Sequence, residues 1–241
     1  RSLVTAADAR REECSGDPPI EGFSPVYSDL GYLLLGAAVA AREQAELDAI
    51  MDREVVAPLG LAIGSARKMR LSSPSFDESV APTEHVAWRG GVVRGAVHDE
   101  NAWALSRDGA SGHAGLFGDA LSVARLGVAI LEALRGERPA WLDAEAMQPL
   151  VRLRPGGSHR AGFDGRSGDA PTSGARFGPR TFGHLGFTGT SLWMDPDRAI
   201  VGVLLTNRVH PTRDSIAIRA ARPRVYDALH EAMHAVRAGA W

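Results

Sequence analysis

The stretch FGHLGFTGTSLWMDPDRAIVGVLLTNR, residues 182–208, decides the fold. Two runs rich in large apolar and β-branched residues flank Asp195-Pro196-Asp197-Arg198, a cluster of turn-forming residues. The pattern predicts two antiparallel strands joined by a hairpin at these four residues. Segments with helical spacing occur before and after the hairpin, so we predict an α+β fold with helices covering an antiparallel sheet.

Helical spacing of apolar residues begins at Ser28, where Ser28 or Asp29 can act as N-cap. The pattern predicts two helices that end before Pro58. A third helix is predicted over 119–135, with Gly136 as its stop signal.

Helical patterning returns over 213–238, and we expect Pro223 to break or kink that helix. Segments 59–112 and 154–181 are rich in glycine, serine and charged residues, which predicts long and mostly irregular connections. Residues 1–25 are polar and are interpreted as a connecting segment of a single, partial domain that spans 1–241.

Composition limits the class of protein. The chain has 241 residues, of which 44% are hydrophobic, enough for a sizeable core. Its 27 basic and 29 acidic residues give a formal net charge of -2 without long blocks of one sign, so we expect no nucleic-acid partner. The single cysteine, Cys14, excludes an intrachain disulfide. A transmembrane segment needs a run of about 18 apolar residues, and none is present.

The stretch GSARKMR, residues 64–70, contains the spelling S-x-x-K at Ser65 and Lys68. A serine activated by a lysine one helical turn away needs a rigid helix to hold both side chains on one face. No apolar stripe follows Lys68, and Pro74 lies close behind it. We therefore interpret Ser65 as a turn residue in a solvated loop.

Two other positions are better candidates for catalysis. Tyr27 precedes a predicted helix, where its hydroxyl can face a cleft and take part in proton transfer, although packing at the helix entrance is an equal alternative. His184 lies beside a glycine-rich strand entrance that includes Gly186. It can bind a substrate carboxylate or assist proton transfer, and the N–H of Phe187 can contribute to an oxyanion hole. A structural histidine is the alternative.

Histidines and carboxylates also cluster in VHDENA and ASGHAGLF. His98, Asp99 and His113 permit a metal site, with Asn101 nearby, but no HExxH or other tight ligand spacing occurs. Ser111 and His113 suggest a catalytic dyad, yet residues two apart rarely face each other. Hydrogen bonds that order a loop are the favoured interpretation, and we expect neither a metal nor a cofactor.

Four blocks together resemble the serine hydrolases related to class C β-lactamases and penicillin-binding proteins. They are YSDLGYLLLG, APTEHVAWRGGVVRGAVHDENA, GHAGLF and the 182–211 segment that ends in VGVLLTNRVHP. The resemblance implies a β-lactamase/DD-peptidase-like fold, in which an antiparallel sheet flanked by helices lies beside a mostly helical region. It also implies an active site in the cleft between them.

The resemblance assigns roles to individual residues. Tyr27-Ser28-Asp29 matches a YxN motif with aspartate in place of asparagine, and His184-Leu185-Gly186 matches the KTG or HxG motif. Tyr27 would assist proton transfer, His184 would orient or activate substrate, and Gly186 and Phe187 would lie at the substrate. Asp29 changes the expected substrate contact, because an ionised carboxylate only accepts hydrogen bonds.

The family's nucleophilic SxxK motif precedes the tyrosine motif, and residues 1–26 contain none. We therefore expect the nucleophile upstream of residue 1 and an acyl-enzyme that acts on esters, amides or cell-wall D-alanyl peptides. A non-catalytic binding module and a metal-dependent hydrolase are alternatives. Absence of an upstream part predicts unpaired strand edges, self-association or pairing with that part. The family resemblance slightly favours an extracytoplasmic location.

Overall fold

The computed structural model describes Thr5 and residues 26–239, which divide into two compact units at Gly118/Asp119. Most of the predicted connecting segment 1–25 thus lies outside the described residues. Both units combine helices with antiparallel strands, so the predicted α+β class is confirmed. The single-domain interpretation stays a prediction.

The N-terminal unit is built from short elements. In its described part, two-stranded antiparallel sheets pair β1 with β4 and β2 with β3. The helices are α1 (Asp29–Glu43), α2 (Leu47–Met51), α3 (Ala57–Leu59), α4 (Ala66–Ser72), α5 (Phe76–Ser79) and α6 (Glu100–Ser106), with a π-helical turn at Asp52–Val56 and a 3-10 turn at Ala87–Arg89. The strands are β1 (Ile63–Ser65), β2 (His85–Val86), β3 (Gly91–Val92) and β4 (Leu116–Gly118).

Two expectations about this unit were wrong. Helical structure continues through Pro58 to Leu59, since the π-helical turn at Asp52–Val56 leads directly into α3. The 59–112 segment is also less irregular than expected, since it contains three strands and three α-helices. Elements of two to seven residues carry too few apolar positions to show a clear period.

Close packing of a loop on α1 positions the site residues of this unit. The loop at Gly112 lies against α1 so tightly that a Cβ atom on Gly112 would overlap the carbonyl oxygen of Tyr32. Only glycine permits this approach. The contact brings the loop after α6 to the helix that begins at Asp29.

The C-terminal unit contains a four-stranded antiparallel sheet in the order β5-β6-β7-β8. The predicted hairpin is confirmed, because β7 ends at Asp195 and β8 begins at Ile200. The predicted helix over 119–135 is confirmed as α7, capped by Asp119, whose carboxylate accepts a hydrogen bond from the Ser122 N–H. The elements are α7 (Ala120–Leu134), α8 (Ala144–Val151), β5 (Asp164–Gly165), β6 (Phe182–Leu185), β7 (Ser191–Asp195), β8 (Ile200–Leu204) and α9 (Ile218–Arg237).

Both faces of this sheet are covered by helices. Met194 packs with Phe182 and with residues of α7 and α8, including Ile130 and Met147. The adjacent Trp193 points the other way, because neighbouring strand residues face opposite sides of a sheet. It packs in a second cluster with Phe177, Ile200 and Tyr226 of α9.

The expected break at Pro223 does not occur, since α9 runs unbroken from Ile218 to Arg237. Side chains on both sides of the proline anchor the helix to the sheet. Arg222 donates to the carbonyls of Gly186 and Thr190, and the Tyr226 hydroxyl contacts the carbonyl and Oγ of Ser191. These tertiary contacts offset the helical hydrogen bond that proline lacks.

We predict that Tyr226→Phe changes how stability depends on pH. Burial raises the pKa of Tyr226 to about 12, so above pH 10 the unfolded chain loses this proton while the folded chain keeps it. Wild-type stability should therefore fall between about pH 10 and pH 12, by roughly 1.4 kcal/mol per pH unit for this group. Urea unfolding should show the variant about 1 kcal/mol less stable at pH 8, from the lost hydrogen bonds, and nearly equal to wild type at pH 11. A constant difference between the two pH values would contradict this.

Candidate active site

The tyrosine motif lies at the start of α1. Tyr27 is 60% exposed, Ser28 occupies the N-cap with extended backbone, and Asp29 is the first helical residue. The Ser28 side chain makes no capping hydrogen bond. A negatively charged side chain in the first turn of a helix interacts favourably with the helix dipole.

His184 lies on β6, opposite Leu192 of β7, with its side chain exposed. Its Nδ1 is 2.8 Å from the carbonyl oxygen of Leu185, so Nδ1 carries a proton and donates it to that oxygen. This hydrogen bond fixes the orientation of the ring at the end of the strand. An imidazole oriented in this way suits a role in substrate activation.

The turn after His184 is tight and anchored from outside. Gly186 N–H donates to the Thr190 carbonyl at 2.8 Å, and Gly189 N–H donates to the Gly186 carbonyl at 3.0 Å. A Cβ atom on Gly186 would overlap the Thr190 hydroxyl, so a larger residue here would require that side chain to move. Arg222 binds the Gly186 and Thr190 carbonyls at 3.0 and 2.9 Å, which holds the turn to α9.

Phe187 follows in the same turn and is 56% exposed. The Arg208 Nε–H donates to its carbonyl oxygen at 2.8 Å. The Arg208 guanidinium also lies 4.5 Å from the centre of the Phe187 ring, and that of Arg213 lies 5.5 Å from it. The Phe187 N–H belongs to the peptide of the Gly186 carbonyl, which accepts from the Gly189 N–H and from Arg222. That peptide is therefore held in one orientation, as an oxyanion donor requires.

Ser65 is not a solvated loop residue, contrary to the sequence interpretation. It ends β1, is fully buried and serves as N-cap of α4, accepting a hydrogen bond from the Lys68 N–H at 3.3 Å. Its hydroxyl donates to Asp48 Oδ2 at 2.9 Å, while the Lys68 ammonium pairs with Asp52. A buried hydroxyl that donates to a carboxylate is placed for structure and is shielded from large electrophiles.

We predict that Ser65→Ala lowers the unfolding free energy by about 1 kcal/mol, because it removes the cap of α4 and leaves Asp48 without this donor. Urea denaturation measures the change. Ser72→Ala, an exposed position on the same helix, is the control and should stay within about 0.5 kcal/mol of wild type. Equal effects of the two substitutions would argue against a structural role for Ser65.

The metal set considered from sequence, His98, Asp99 and His113, does not assemble. His98 Nε2 lies 2.9 Å from Glu84 Oε2, and both side chains are nearly buried. His98 is thereby engaged away from Asp99 and His113. Asn101 is exposed in the first turn of α6.

The expectation that Ser111 and His113 do not face each other was wrong. Ser111 Oγ lies 2.9 Å from His113 Nδ1, and His113 Nε2 lies 2.8 Å from Asp99 Oδ1. The chain turns between the two residues, since the Ser111 N–H donates to the Ala114 carbonyl. Because that bond occupies the Ser111 N–H, this N–H cannot act as an oxyanion donor. The hydrogen-bonded row Ser111–His113–Asp99 therefore lacks one part of a nucleophilic site.

Asp29 lies close to this row, a proximity that sequence reasoning missed. One oxygen of Asp29, one of Asp99 and a ring nitrogen of His113 all lie within 4.8 Å of one another. The three residues are far apart in sequence, and no local spacing could have revealed the group. The structure thus joins Asp29 to Asp99 and His113 in the N-terminal unit, while His184, Gly186 and Phe187 share one turn of the C-terminal unit.

Comparisons with known proteins identify the class to which this fold and these motifs belong. The sequence profile of the β-lactamase family matches residues 11–225, so the chain belongs to the β-lactamase family. The solved structures it resembles include a β-lactamase from Mycobacterium bovis, with a TM-score of 0.57, 18% identity, and coverage of 94% of this chain and 82% of that one. Simvastatin synthase from Aspergillus terreus gives a TM-score of 0.58 at 12% identity, covering 95% of this chain and 63% of that one. These similarities confirm the predicted β-lactamase-like fold.

Similar curated proteins carry the provisional name D-alanyl-D-alanine carboxypeptidase. The protein from Salmonella agona is 31% identical over 207 residues, which are 78% of this chain and 46% of that protein. The protein from Salmonella schwarzengrund is 32% identical over the same length and with the same coverage. The chain therefore spans about half the length of these relatives. None of its described helices has the length and apolarity needed to cross a bilayer.

Proposed function

We propose that this chain carries the tyrosine and HxG motifs of a serine acyl hydrolase whose nucleophile belongs to an SxxK segment upstream of residue 1. The observation that carries the proposal is the family match over residues 11–225, which includes both motifs in the family's order. The share of the Salmonella proteins that the chain covers, 46%, leaves room for such a segment in relatives of this kind. Ser65 is a poor substitute, because it follows the tyrosine motif and is buried.

The reaction proceeds through an acyl-enzyme. The upstream serine attacks an ester, amide or peptide carbonyl, the leaving group departs with a proton, and water then releases the acyl group. Tyr27 takes part in the proton transfers, and its exposed hydroxyl at the start of α1 suits that role. His184 orients and polarises the substrate, while the Phe187 N–H stabilises the oxyanion.

D-alanyl peptides are the proposed substrate class. The provisional name of the Salmonella proteins supports this class, and small esters are the second candidate. The 241 residues alone should then lack acyl-transfer activity. A non-catalytic binding module is the alternative function, and a start codon directly before Arg1 in the gene, without an in-frame SxxK, would favour it.

We predict that in the longer, SxxK-containing protein Tyr27→Phe lowers kcat/KM for a D-alanyl-D-alanine peptide by about 100-fold or more, since it removes a proton-transfer group. His184→Gln should also lower kcat/KM. Steady-state kinetics and labelling by a fluorescent penicillin measure both effects.

The matched controls are Tyr32→Phe on the same helix and His159→Gln in a loop of the C-terminal unit. Both should stay within about twofold of wild type, the level expected of substitutions away from the reacting groups. If Tyr27→Phe behaves like Tyr32→Phe, Tyr27 has no catalytic role. If a fluorophosphonate labels Ser65 in the 241-residue chain, the proposal of an upstream nucleophile fails.

We also propose that the outer edge of β8 accepts another strand. Among the described strands β8 pairs only with β7, and its sequence IVGVL is apolar. Edge strands of this kind associate with further strands through their free backbone groups. The upstream segment is the proposed partner, and a second copy of the chain takes its place when that segment is absent.

Accordingly, the 241-residue chain should dimerise in a concentration-dependent way, while the longer protein should be monomeric. Light scattering coupled to size-exclusion chromatography measures both masses. A monomeric short chain at all concentrations, or a dimer of both proteins, would contradict the proposed pairing.

A further inference from the structure

The described part of the N-terminal unit contains a carboxylate–histidine cluster that the proposed acyl transfer does not use as such. Asp29 begins α1, Asp99 is the N-cap of α6, and His113 lies in the loop that precedes β4. Their ligand atoms lie within 4.8 Å of one another. We propose that Asp29, Asp99 and His113 bind one Zn²⁺ ion or a similar divalent transition metal.

The surroundings of His113 match those of a metal-binding histidine. Its side chain is only 7% exposed, and Nε2 faces Asp99 Oδ1 at 2.8 Å. The other ring nitrogen, Nδ1, lies 2.9 Å from the Ser111 hydroxyl. A metal-binding histidine commonly donates its second N–H to such a group, which fixes the tautomer and leaves the other lone pair for the metal. In the structure Nε2–H donates to Asp99 Oδ1, and the Ser111 hydroxyl donates to Nδ1. A metal ion at Nε2 would take the place of that proton, and Nδ1–H would then donate to Ser111.

Asp99 is supported in the same way. Its Oδ1 atom accepts the backbone N–H of Ala102 at 2.8 Å, which holds the carboxylate in place at the start of α6. Hydrogen bonds of this type to a ligating carboxylate help to orient it toward a metal. The site is therefore largely formed before an ion enters it.

Charge in the cluster is left uncompensated. The whole chain has 27 basic residues. In the described N-terminal unit, six other acidic residues form ion pairs with an arginine or with Lys68. Within the same part of the chain, Asp29 has no ion pair with an arginine or lysine, and Asp99 pairs only with His113. Two carboxylates beside one imidazole therefore retain net negative charge, which a divalent cation neutralises. The paired acidic residues are Glu43, Asp52, Glu54, Glu46, Asp77 and Asp108.

The donor set selects the type of ion. One imidazole nitrogen and two carboxylate oxygens suit Zn²⁺ and related ions, with a water molecule in the fourth position. Ca²⁺ prefers six to eight oxygen ligands, and Mg²⁺ prefers an octahedron of oxygens. Neither set is supplied here.

The test is titration of the 241-residue chain, purified without a histidine tag, with Zn²⁺ in a calorimeter. We expect saturable binding of one equivalent of Zn²⁺ and a rise in the unfolding midpoint with Zn²⁺ concentration, because the ion binds the folded state. Asp29→Asn and His113→Gln should each weaken binding at least about tenfold. Mg²⁺ and Ca²⁺ should not compete.

Two features make the result decisive. Asp29→Asn removes a ligand that makes no ion pair in the described structure, and Asp99→Asn keeps an efficient N-cap, so both variants should fold. His98→Gln is the matched control, because the His98 side chain is as buried as that of His113 and pairs with Glu84, so this change should leave Zn²⁺ binding unchanged. No saturable binding, or binding that survives Asp29→Asn and His113→Gln, overturns the proposal. The readout is metal binding, so its outcome is independent of acyl-transfer activity.

Discussion

Burial of strand β7 on both sides is the constraint on which the C-terminal unit depends. Trp193 and Met194 are adjacent in sequence and almost fully buried, so helices must cover both faces of the sheet. Met194 is covered from one side by α7 and α8, and Trp193 shares a cluster with Tyr226 of α9 on the other. Removing either cover would expose a large apolar side chain, at a cost of about 1.5–3 kcal/mol each.

The HxG turn depends on the same packing. Because α9 must lie across the sheet to cover Trp193, Arg222 reaches the carbonyls of Gly186 and Thr190. The turn that contains Phe187 is thus fixed by a helix whose position the core determines. Contacts of the core, and not the turn residues alone, orient the backbone next to His184.

The sequence predicts well those elements whose periodicity, cap or turn residues all lie within the element itself. α7 has a full apolar stripe and an N-cap, and the β7–β8 hairpin has two apolar runs around a turn sequence, so both were predicted within a residue or two. The continuation of helical structure through both prolines was not predicted, because the effect of each proline was taken as local. Pro58 lies in a helical turn that directly follows the π-helical turn at Asp52–Val56, and Pro223 lies between two anchored side chains. Neither circumstance is visible in the local sequence.

The candidate site also contains residues that a local motif reveals and residues whose role depends on contacts distant in sequence. Tyr27 and His184 could be selected because each lies in a short, recognisable motif, whereas the role of Ser65 depends on Asp48, which is distant in sequence. The spelling S-x-x-K at Ser65 does mark the start of a helix, but its meaning there is capping. Burial, which sequence spacing does not report, separates a capping serine from a nucleophile.

Asp29 connects the chemistry of the tyrosine motif with the cluster at His113. An asparagine at this position would offer a substrate both a donor and an acceptor, while an aspartate offers only acceptor oxygens when ionised. The carboxylate instead lies close to Asp99 and His113, where a second negative charge makes the local electrostatic potential more negative and so favours a cation. A cation held there would neutralise Asp29 two residues from Tyr27 and tie the start of α1 to the loop at His113. If a cation binds there, the aspartate in place of the asparagine of the YxN motif is an adaptation to the cluster with Asp99 and His113.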